Sequence, residues 1–321
     1  MSDRTTLDSL RAAAELVHRT LPPTPQYAWP LLAERAGCEL WVKHENHTPI
    51  GAFKVRGGLV YMDALRRSDP DCPGVITATR GNHGQSIGFA CRALGLPATI
   101  LVPHGNSSEK NAAMRALGVE LIEHGDDFQA AREEADRLAE ARGLRFLGPF
   151  EPELVRGVAS YALELFDAVA GLDRVYVPIG MGSGICALIA ARDALGLRTE
   201  IVGVTAEQAP AYALSYRAGA PVNTNTADTL ADGLACRTPD PEAVATIARG
   251  AADVVTVAEH EVRAAMRAYY TDTHNLAEGA GAAALAAALQ QRGRNAGRKV
   301  AVVLSGQNVD ARVFREVLAE A

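Results

Sequence analysis

The sequence predicts an α/β protein with two lobes, each a mostly parallel, twisted sheet flanked by helices. Short apolar runs alternate with helical patterns along most of the 321 residues, an order typical of parallel sheets with helices on both faces. Aromatic residues make up only 5% of the chain, which favours closely packed helices on a sheet over an aromatic-rich sandwich. Ligands in such folds bind beyond the carboxyl ends of the strands, so the turns after the strands are the candidate sites.

The elements follow from the same patterns in chain order. The first 19 residues form an amphipathic helix, the alanine-rich run 280–289 a buried helix, and 311–321 a short closing helix. Strands are predicted at 39–43, 74–78, 98–102, 120–123, 174–178, 200–205, 253–257 and 299–304. Further helices are predicted at 82–94, 109–117, 128–142, 153–168 and 183–195, and a loop at 221–228.

The segment 144–152 interrupts the alternation, because Gly148, Pro149 and Pro152 break regular structure. We interpret it as a crossing between two lobes. The sequence therefore predicts a small domain, 48–148, and a large domain, 1–47 with 149–321.

Composition limits the partners. The net charge is −6 and the chain has no basic run, so a nucleic-acid partner is not expected. The N-terminus lacks the apolar core of a signal peptide, and no apolar stretch is long enough to span a bilayer, so no membrane partner is expected. The five cysteines are scattered without a CxxC pair, which indicates a cytoplasmic protein with free thiols.

Lys54 is the strongest candidate for covalent chemistry. The chain has only four lysines, at 43, 54, 110 and 299. Lys54 follows Phe53 and the small residues Gly51 and Ala52, which let a flat ring approach the backbone. A lysine held in such a place can have a lowered pKa and react with an aldehyde. An exposed lysine that opens a helix is the alternative.

A second candidate turn follows the strand at 74–78 and opens a helix; it consists of Thr79, Arg80, Gly81, Asn82 and His83. Backbone amides at a helix start suit an anion such as a carboxylate. The alternative is an ordinary helix start with Asn82 as N-cap and His83 exposed.

Two further turns follow later strands. The glycine turn comprises Gly180, Met181, Gly182, Ser183 and Gly184. Its backbone amides suit a phosphate, whereas its glycine spacing does not fit a dinucleotide; close helix–sheet packing is the competing cause. After the last strand, Ser305 can hydrogen-bond a heterocyclic nitrogen, or it belongs to a simple turn.

Together these turns offer an amine, a carboxylate site, a phosphate site and a partner for a ring nitrogen, a set that matches pyridoxal phosphate. The order Gly-Ala-Phe-Lys54, Gly-Asn-His83, glycine turn, Ala-Asp-Gly-Leu234 and Ser-Gly-Gln-Asn308 resembles the fold-type II pyridoxal-phosphate enzymes, which share the fold of tryptophan synthase β. Within them it resembles the serine/threonine dehydratase group, from about residue 21 to 310.

The resemblance implies roles for these residues. Lys54 binds the cofactor covalently and later moves the α-proton, Phe53 lines the ring and Asn82 contacts the ring hydroxyl. The glycine turn holds the phosphate and Ser305 faces the pyridine nitrogen, which makes the large domain the cofactor-binding one. Substrate contacts are expected from Thr79, Arg80, Gly81, Asn82 and His83.

The implied reaction is β-elimination of water from a β-hydroxy amino acid such as threonine or serine, giving a 2-oxo acid and ammonia. A neutral serine need not keep the pyridine nitrogen protonated, and this favours prompt loss of a β-leaving group. Most of the bond chemistry belongs to the cofactor.

The chain departs from the family pattern at Arg80, where serine racemases carry a serine that acts as a second base. Racemase activity is therefore not expected. Arg80 is either a surface arginine or one that braces the backbone, or it pairs with the substrate's α-carboxylate or with a second carboxylate, as in 3-hydroxyaspartate.

No metal is expected. Some relatives hold a cation at positions that correspond here to Thr205, Ala209 and Ala211, which offer no charge. The histidines at 44, 47 and 83 lack ligand spacing, so we interpret them as solvated or locally bonded.

Several alternatives stay open. The substrate can be threonine, serine, 3-hydroxyaspartate or phenylserine, of either configuration. A β-replacement synthase is the second enzymatic reading, and a catalytically silent scaffold is the non-enzymatic one. By resemblance we expect a homodimer, and no regulatory domain after Ala321.

Overall fold

A computed structural model describes residues 5–320 of the chain. The strands in that range are β1 (Gln26–Ala28), β2 (Glu39–His44), β3 (Val75–Ala78), β4 (Ala98–Val102), β5 (Glu120–Glu123), β6 (Arg145–Phe146), β7 (Arg174–Pro178), β8 (Glu200–Ala206), β9 (Asp253–Val257) and β10 (Lys299–Leu304). They form two separate sheets.

Helices connect and cover these strands. They are α1 (Leu7–His18), α2 (Pro30–Ala36), α3 (Lys54–Ser68), α4 (Asn82–Leu94), α5 (Ser108–Ala116), α6 (Phe128–Arg142), α7 (Pro152–Ala168), α8 (Ser183–Ala194), α9 (Ala211–Ala218), α10 (Pro241–Gly250), α11 (Glu259–Thr273), α12 (Gly279–Gln290), α13 (Arg292–Asn295) and α14 (Ala311–Ala319), with a 3₁₀ turn at Asp232–Leu234.

The first sheet has the strand order β1-β2-β10-β7-β8-β9. Only β1 runs antiparallel to its neighbour; the other pairs are parallel. The second sheet has the order β5-β4-β3-β6 and is parallel throughout. The α/β class and the two mostly parallel sheets were predicted correctly. The sheets fall in different predicted domains, but the boundaries at 47/48 and 148/149 stay a prediction.

The alanine-rich helix α12 lies against the first sheet with its side chains from Gly279 to Ala288 buried. Small side chains let this helix approach closely. A Cβ built on Gly281 would lie 2.2 Å from the backbone oxygen of Gly306. Helix α12 therefore begins directly against the turn that carries Ser305.

A buried ionic network fixes the start of α3 against the first sheet. Arg56 is fully buried and donates to Glu45 at 2.7 Å and to Glu164 at 2.6 Å. Lys43 also donates to Glu164, at 2.6 Å. Burial pushes the pKa of Glu164 up, but the Arg56 charge and the hydrogen bonds from Arg56 and Lys43 lower it to about 2. The network thus ties α3 to β2 and α7, two residues beyond Lys54.

The predicted elements differ from the structure mainly at their ends. Strand β3 begins at Val75 because Gly74 has φ +156°, and β2 and β8 each run one residue longer than predicted. The segment 221–228 is a loop, as predicted. Residues 1–4 and 321 of the two predicted terminal helices lie outside the described residues. Strands β1 and β6 were missed because three and two residues carry no readable period.

Candidate active site

A cavity with about 900 Å³ of empty space lies at the carboxyl ends of β3, β7 and β10, the position expected for a parallel sheet. All four turns singled out from the sequence reach it. Its lining includes every predicted site residue: Phe53, Lys54, Thr79, Arg80, Gly81, Asn82, His83, Gly180, Met181, Gly182, Ser183, Gly184 and Ser305.

Lys54 is the first residue of α3, and the loop before it is held by the Ser305 turn. The Phe53 N–H donates to the Ser305 carbonyl at 3.1 Å, and Ala52 forms an antiparallel bridge with Gly306. The hydroxyl of Ser86 donates to the Lys54 carbonyl at 2.6 Å. The amine is thereby presented from a fixed backbone.

The pKa of the Lys54 amine is lowered to about 8 because the group is buried, although Glu278 nearby works in the opposite direction. Its Nζ lies 5.1 Å from the centroid of the Phe53 ring. That ring packs edge-on against Tyr161, with centroids 6.1 Å apart. A lysine with a lowered pKa carries more of the neutral, nucleophilic amine near pH 7.

The glycine turn between β7 and α8 leaves no room for a Cβ at Gly180 or Gly182. Gly182 has φ +97°, a conformation that favours glycine. A Cβ on Gly180 would lie 2.2 Å from the Gly233 carbonyl oxygen. The turn leads into the N-terminus of α8, where Ser183 is buried. Free backbone amides and the helix dipole there suit a phosphate-like anion.

The turn from Thr79 to His83 is shaped by Gly81, whose φ is +155°. The Thr79 hydroxyl accepts from the Gly81 N–H at 2.9 Å. Asn82 is the first residue of α4, and its side chain does not cap the helix. Instead, its amide donates to Glu278 at 2.6 Å and accepts from Asn308 at 2.8 Å.

The interpretation of His83 as solvated or locally bonded was wrong. The side chain is buried, and its Nε2 has no hydrogen-bond partner. Burial and the neighbouring Lys54 lower its pKa to about 3, so the ring is neutral at pH 7. The other two histidines are locally bonded as expected: His44 contacts Trp29 and Asn46, and His47 contacts Asn275.

Sequence reasoning missed a charged cluster formed by Lys110, Asp232 and Glu278. The Lys110 amine lies 2.6 Å from Asp232 and 3.1 Å from Glu278. Burial opposes the charge on Lys110, but the two carboxylates prevail and raise its pKa. Asp232 stood in the quoted Ala-Asp-Gly-Leu motif and Lys110 was one of four lysines. Neither was recognised, because Asp232 follows no predicted strand and Lys110 lies inside a predicted helix rather than in a turn. Glu278 had no signal beyond its place before the alanine-rich helix.

The expectation of no metal site remains a prediction. The positions Thr205, Ala209 and Ala211 are buried. Residues 5–320 hold no group of three or more His, Cys, Asp or Glu side chains arranged for a metal ion. Within the same range, no helix has the length and apolar character needed to cross a membrane.

Comparison with known proteins gives consistent matches. The model of a family described as pyridoxal-phosphate dependent enzyme matches residues 17–306. An L-threonine ammonia-lyase of Thermotoga maritima is 30% identical over 98% of this chain and 78% of its own length. A putative threonine dehydratase of Sinorhizobium fredii is 34% identical over 97% of this chain and 95% of its own.

Solved structures agree in fold. The processed form of threonine deaminase isoform 2 from Solanum lycopersicum has a TM-score of 0.90 and 28% identity, covering 99% of this chain and 96% of that one. Maize serine racemase has a TM-score of 0.91 and 25% identity, covering 99% and 98%.

These matches confirm the predicted resemblance to the serine/threonine dehydratase group, the pyridoxal phosphate cofactor and the assignment to lyases. The chain belongs to the pyridoxal-phosphate dependent enzyme family.

Proposed function

We infer that the protein is a dehydratase that converts a β-hydroxy amino acid, such as threonine or serine, into a 2-oxo acid and ammonia. The observation that carries this conclusion is the Lys54 amine, with a pKa of about 8, in one cavity with the glycine turn and Ser305. The similarity to relatives named L-threonine ammonia-lyase and threonine dehydratase supports it.

The residues present fit pyridoxal phosphate. The crowding at Gly180 and the positive φ of Gly182 leave a backbone cradle for its phosphate. The amine of Lys54 would hold the aldehyde carbon, and Phe53 would border the ring. The Asn82 amide, held by Glu278 and Asn308, would meet the ring hydroxyl. Ser305, only 5% exposed, would meet the ring nitrogen.

When bound, pyridoxal phosphate supplies an electron sink that stabilises negative charge at the substrate's Cα. We assign removal of the Cα proton to Lys54 Nζ. At pH 7 an amine of pKa 8 is neutral in roughly a tenth of molecules, against well under a thousandth for an ordinary lysine. The neutral His83 ring beside it adds no positive charge that would compete for the substrate's carboxylate.

The substrate's α-carboxylate is assigned to the turn from Thr79 to His83. The helix α4 begins there, so its first N–H groups lack partners within the helix and its dipole favours an anion. Lys110 is not available for this role because Asp232 and Glu278 neutralise it. Its cluster instead joins α5 to the turn at Asp232–Leu234 and the start of α12.

The test is release of ammonia and 2-oxo acid by the cofactor-loaded enzyme. Threonine, serine, phenylserine and 3-hydroxyaspartate are supplied in both configurations. We expect release from at least one of them and its loss in Lys54→Ala, while the matched control Lys299→Ala, at a partly exposed position, stays active. No release from any substrate would contradict the proposal, and incorporation of an added nucleophile instead would identify a β-replacement synthase.

We further propose that the enzyme is a cytoplasmic homodimer, with lobes divided at 47/48 and 148/149. The resemblance to the dehydratase group supports the dimer, and the two separate sheets support the division. Sedimentation equilibrium of the purified enzyme tests the dimer; a monomer at micromolar concentration would contradict it.

A further inference from the structure

Arg80 is the residue of the cavity whose position has no explanation in the proposed reaction. It lies between β3 and α4 and, like Lys54, lines the cavity. Its Nε is buried without a hydrogen-bond partner. A buried donor of a charged group costs free energy unless a partner is supplied. The unpaired Nε therefore points to a ligand that supplies an acceptor there, such as a carboxylate oxygen.

The other cations of this cavity are already committed. Lys54 is assigned to the cofactor, and Lys110 is held by Asp232 and Glu278 at 2.6 and 3.1 Å. Among the described residues that line the cavity, Arg80 is thus the cation left for an anionic group of the substrate. Its planar fork suits a carboxylate in two-point contact.

A second cavity adjoins the first, and we call it the outer chamber. Arg80, Phe128, Met181, Ala235 and Cys236 line both spaces, so the guanidinium lies at their junction. The charged residues of the outer chamber are three arginines and two aspartates: Arg80, Arg132, Arg237, Asp127 and Asp228.

This surplus of positive charge favours an anion at the junction. Arg237 is neutralised by Asp127, which it contacts at 2.8 Å. Phe128 and Met181, both partly buried, line the two spaces together with Arg80, and such apolar surroundings strengthen a charge pair formed there.

We propose that Arg80 binds a second carboxylate on the substrate, so that the preferred substrate is a β-hydroxy amino acid with an anionic side chain, of which 3-hydroxyaspartate is the smallest. This inference rests on the proposed dehydratase function. The α-carboxylate binds at the turn from Thr79 to His83, as assigned above, and the distal carboxylate points toward the outer chamber.

The reaction balances without an oxidant or reductant. The Cα–H and Cβ–O bonds of 3-hydroxyaspartate break and water leaves. Hydrolysis by one water then releases ammonia and oxaloacetate. The net change is loss of ammonia, as for threonine.

The experiment compares kcat/KM for 3-hydroxyaspartate, threonine and serine in the wild-type holoenzyme, Arg80→Gln and Arg80→Lys. Arg142→Gln is the matched control, because Arg142 pairs with Glu120 on the protein surface and lines neither cavity. We expect the wild type to prefer 3-hydroxyaspartate. In Arg80→Gln, kcat/KM should fall about 100-fold for 3-hydroxyaspartate and only a few-fold for threonine, because only the dicarboxylate then has a carboxylate without a partner.

Arg80→Lys separates charge from geometry, because it keeps the charge without the planar fork; its kcat/KM for 3-hydroxyaspartate should fall between those of the wild type and Arg80→Gln. Arg142→Gln should keep the substrate preference of the wild type. If Arg80→Gln binds no cofactor, the ratio of kcat/KM for 3-hydroxyaspartate to kcat/KM for threonine is measured in Arg80→Lys instead. Equal losses on all substrates, or a wild-type preference for threonine over 3-hydroxyaspartate, would overturn the proposal.

A binding measurement separates this inference from the dehydratase function. Succinate carries a second carboxylate and butyrate does not. Succinate should raise the Tm of the wild-type holoenzyme more than butyrate does, and this difference should vanish in Arg80→Gln even if no substrate is turned over. A difference that persists in Arg80→Gln would refute the subsite while leaving the dehydratase function intact.

Discussion

Replacement of Glu164 by glutamine tests the ionic network that fixes Lys54 in place. Glu164 bonds Arg56 and Lys43, each at 2.6 Å, and both cations are fully buried. In the neutral variant, Arg56 and Lys43 lose one of the carboxylates that balance their positive charges inside the protein. Breaking such a pair by removing one partner costs about 3–5 kcal/mol.

The pKa of Glu164 gives an independent magnitude. A drop from 4.5 to about 2 on folding corresponds to about 3 kcal/mol at pH 7. Because the folded pKa lies below the unfolded one, this stabilisation is present above about pH 4.5 and disappears as the pH falls toward 2. The wild type should therefore lose stability over that window more steeply than Glu164→Gln.

The assay is urea unfolding at fixed cofactor concentration, followed by circular dichroism between pH 7 and pH 3. Glu134→Gln serves as control, since Glu134 pairs with Arg137 on the exposed face of α6 and surface pairs contribute little. The control should match the wild type. A loss of less than about 1 kcal/mol in the free energy of unfolding for Glu164→Gln at pH 7 would show that the network does not hold α3, because breaking a buried pair costs several times that.

Three further outcomes are expected. Gly180→Ala should weaken pyridoxal phosphate binding at least tenfold by fluorescence titration, because its Cβ would meet a backbone oxygen at 2.2 Å. The control Gly293→Ala, where a Cβ meets open space, should bind the cofactor normally. Equal affinities of the two variants would contradict a phosphate site at the glycine turn. In the cofactor-free enzyme, the rate of Lys54 acylation should rise with pH, with a midpoint near pH 8. Glu278→Gln should lower that midpoint, because the carboxylate of Glu278 favours the charged amine. An unchanged midpoint would argue against an interaction between Glu278 and Lys54. Finally, the enzyme should not interconvert serine enantiomers, because Arg80 stands where a second base is needed; racemisation seen by chiral chromatography would contradict this.

The sequence predicted the elements with strong periodicity and the turns after them. Long helices such as α4 and α6 were predicted to the residue, since apolar spacing over three or four turns is unambiguous. Strands of two or three residues, β1 and β6, left no such pattern. The four turns were found because glycine and polar residues stand at the ends of apolar runs, where a parallel sheet gathers its ligand contacts.

What the sequence could not provide were contacts between distant segments. Lys110, Asp232 and Glu278 are 122 and 46 positions apart along the chain, and only the packing of α5 against the 3₁₀ turn and α12 brings them together. The burial of His83 is of the same kind, because it depends on neighbours from other elements. Local motifs identify such residues only when a family pattern already includes them.

A covalent bond between Lys54 and pyridoxal phosphate underlies every role assigned to the cavity, and reduction with borohydride makes such a bond permanent. The cofactor-loaded enzyme is reduced with borohydride, digested and mapped by mass spectrometry. We expect a pyridoxyl group on the peptide that contains Lys54 and on no other lysine peptide. A label on Lys110 or Lys43, or an unmodified Lys54 peptide, would contradict it.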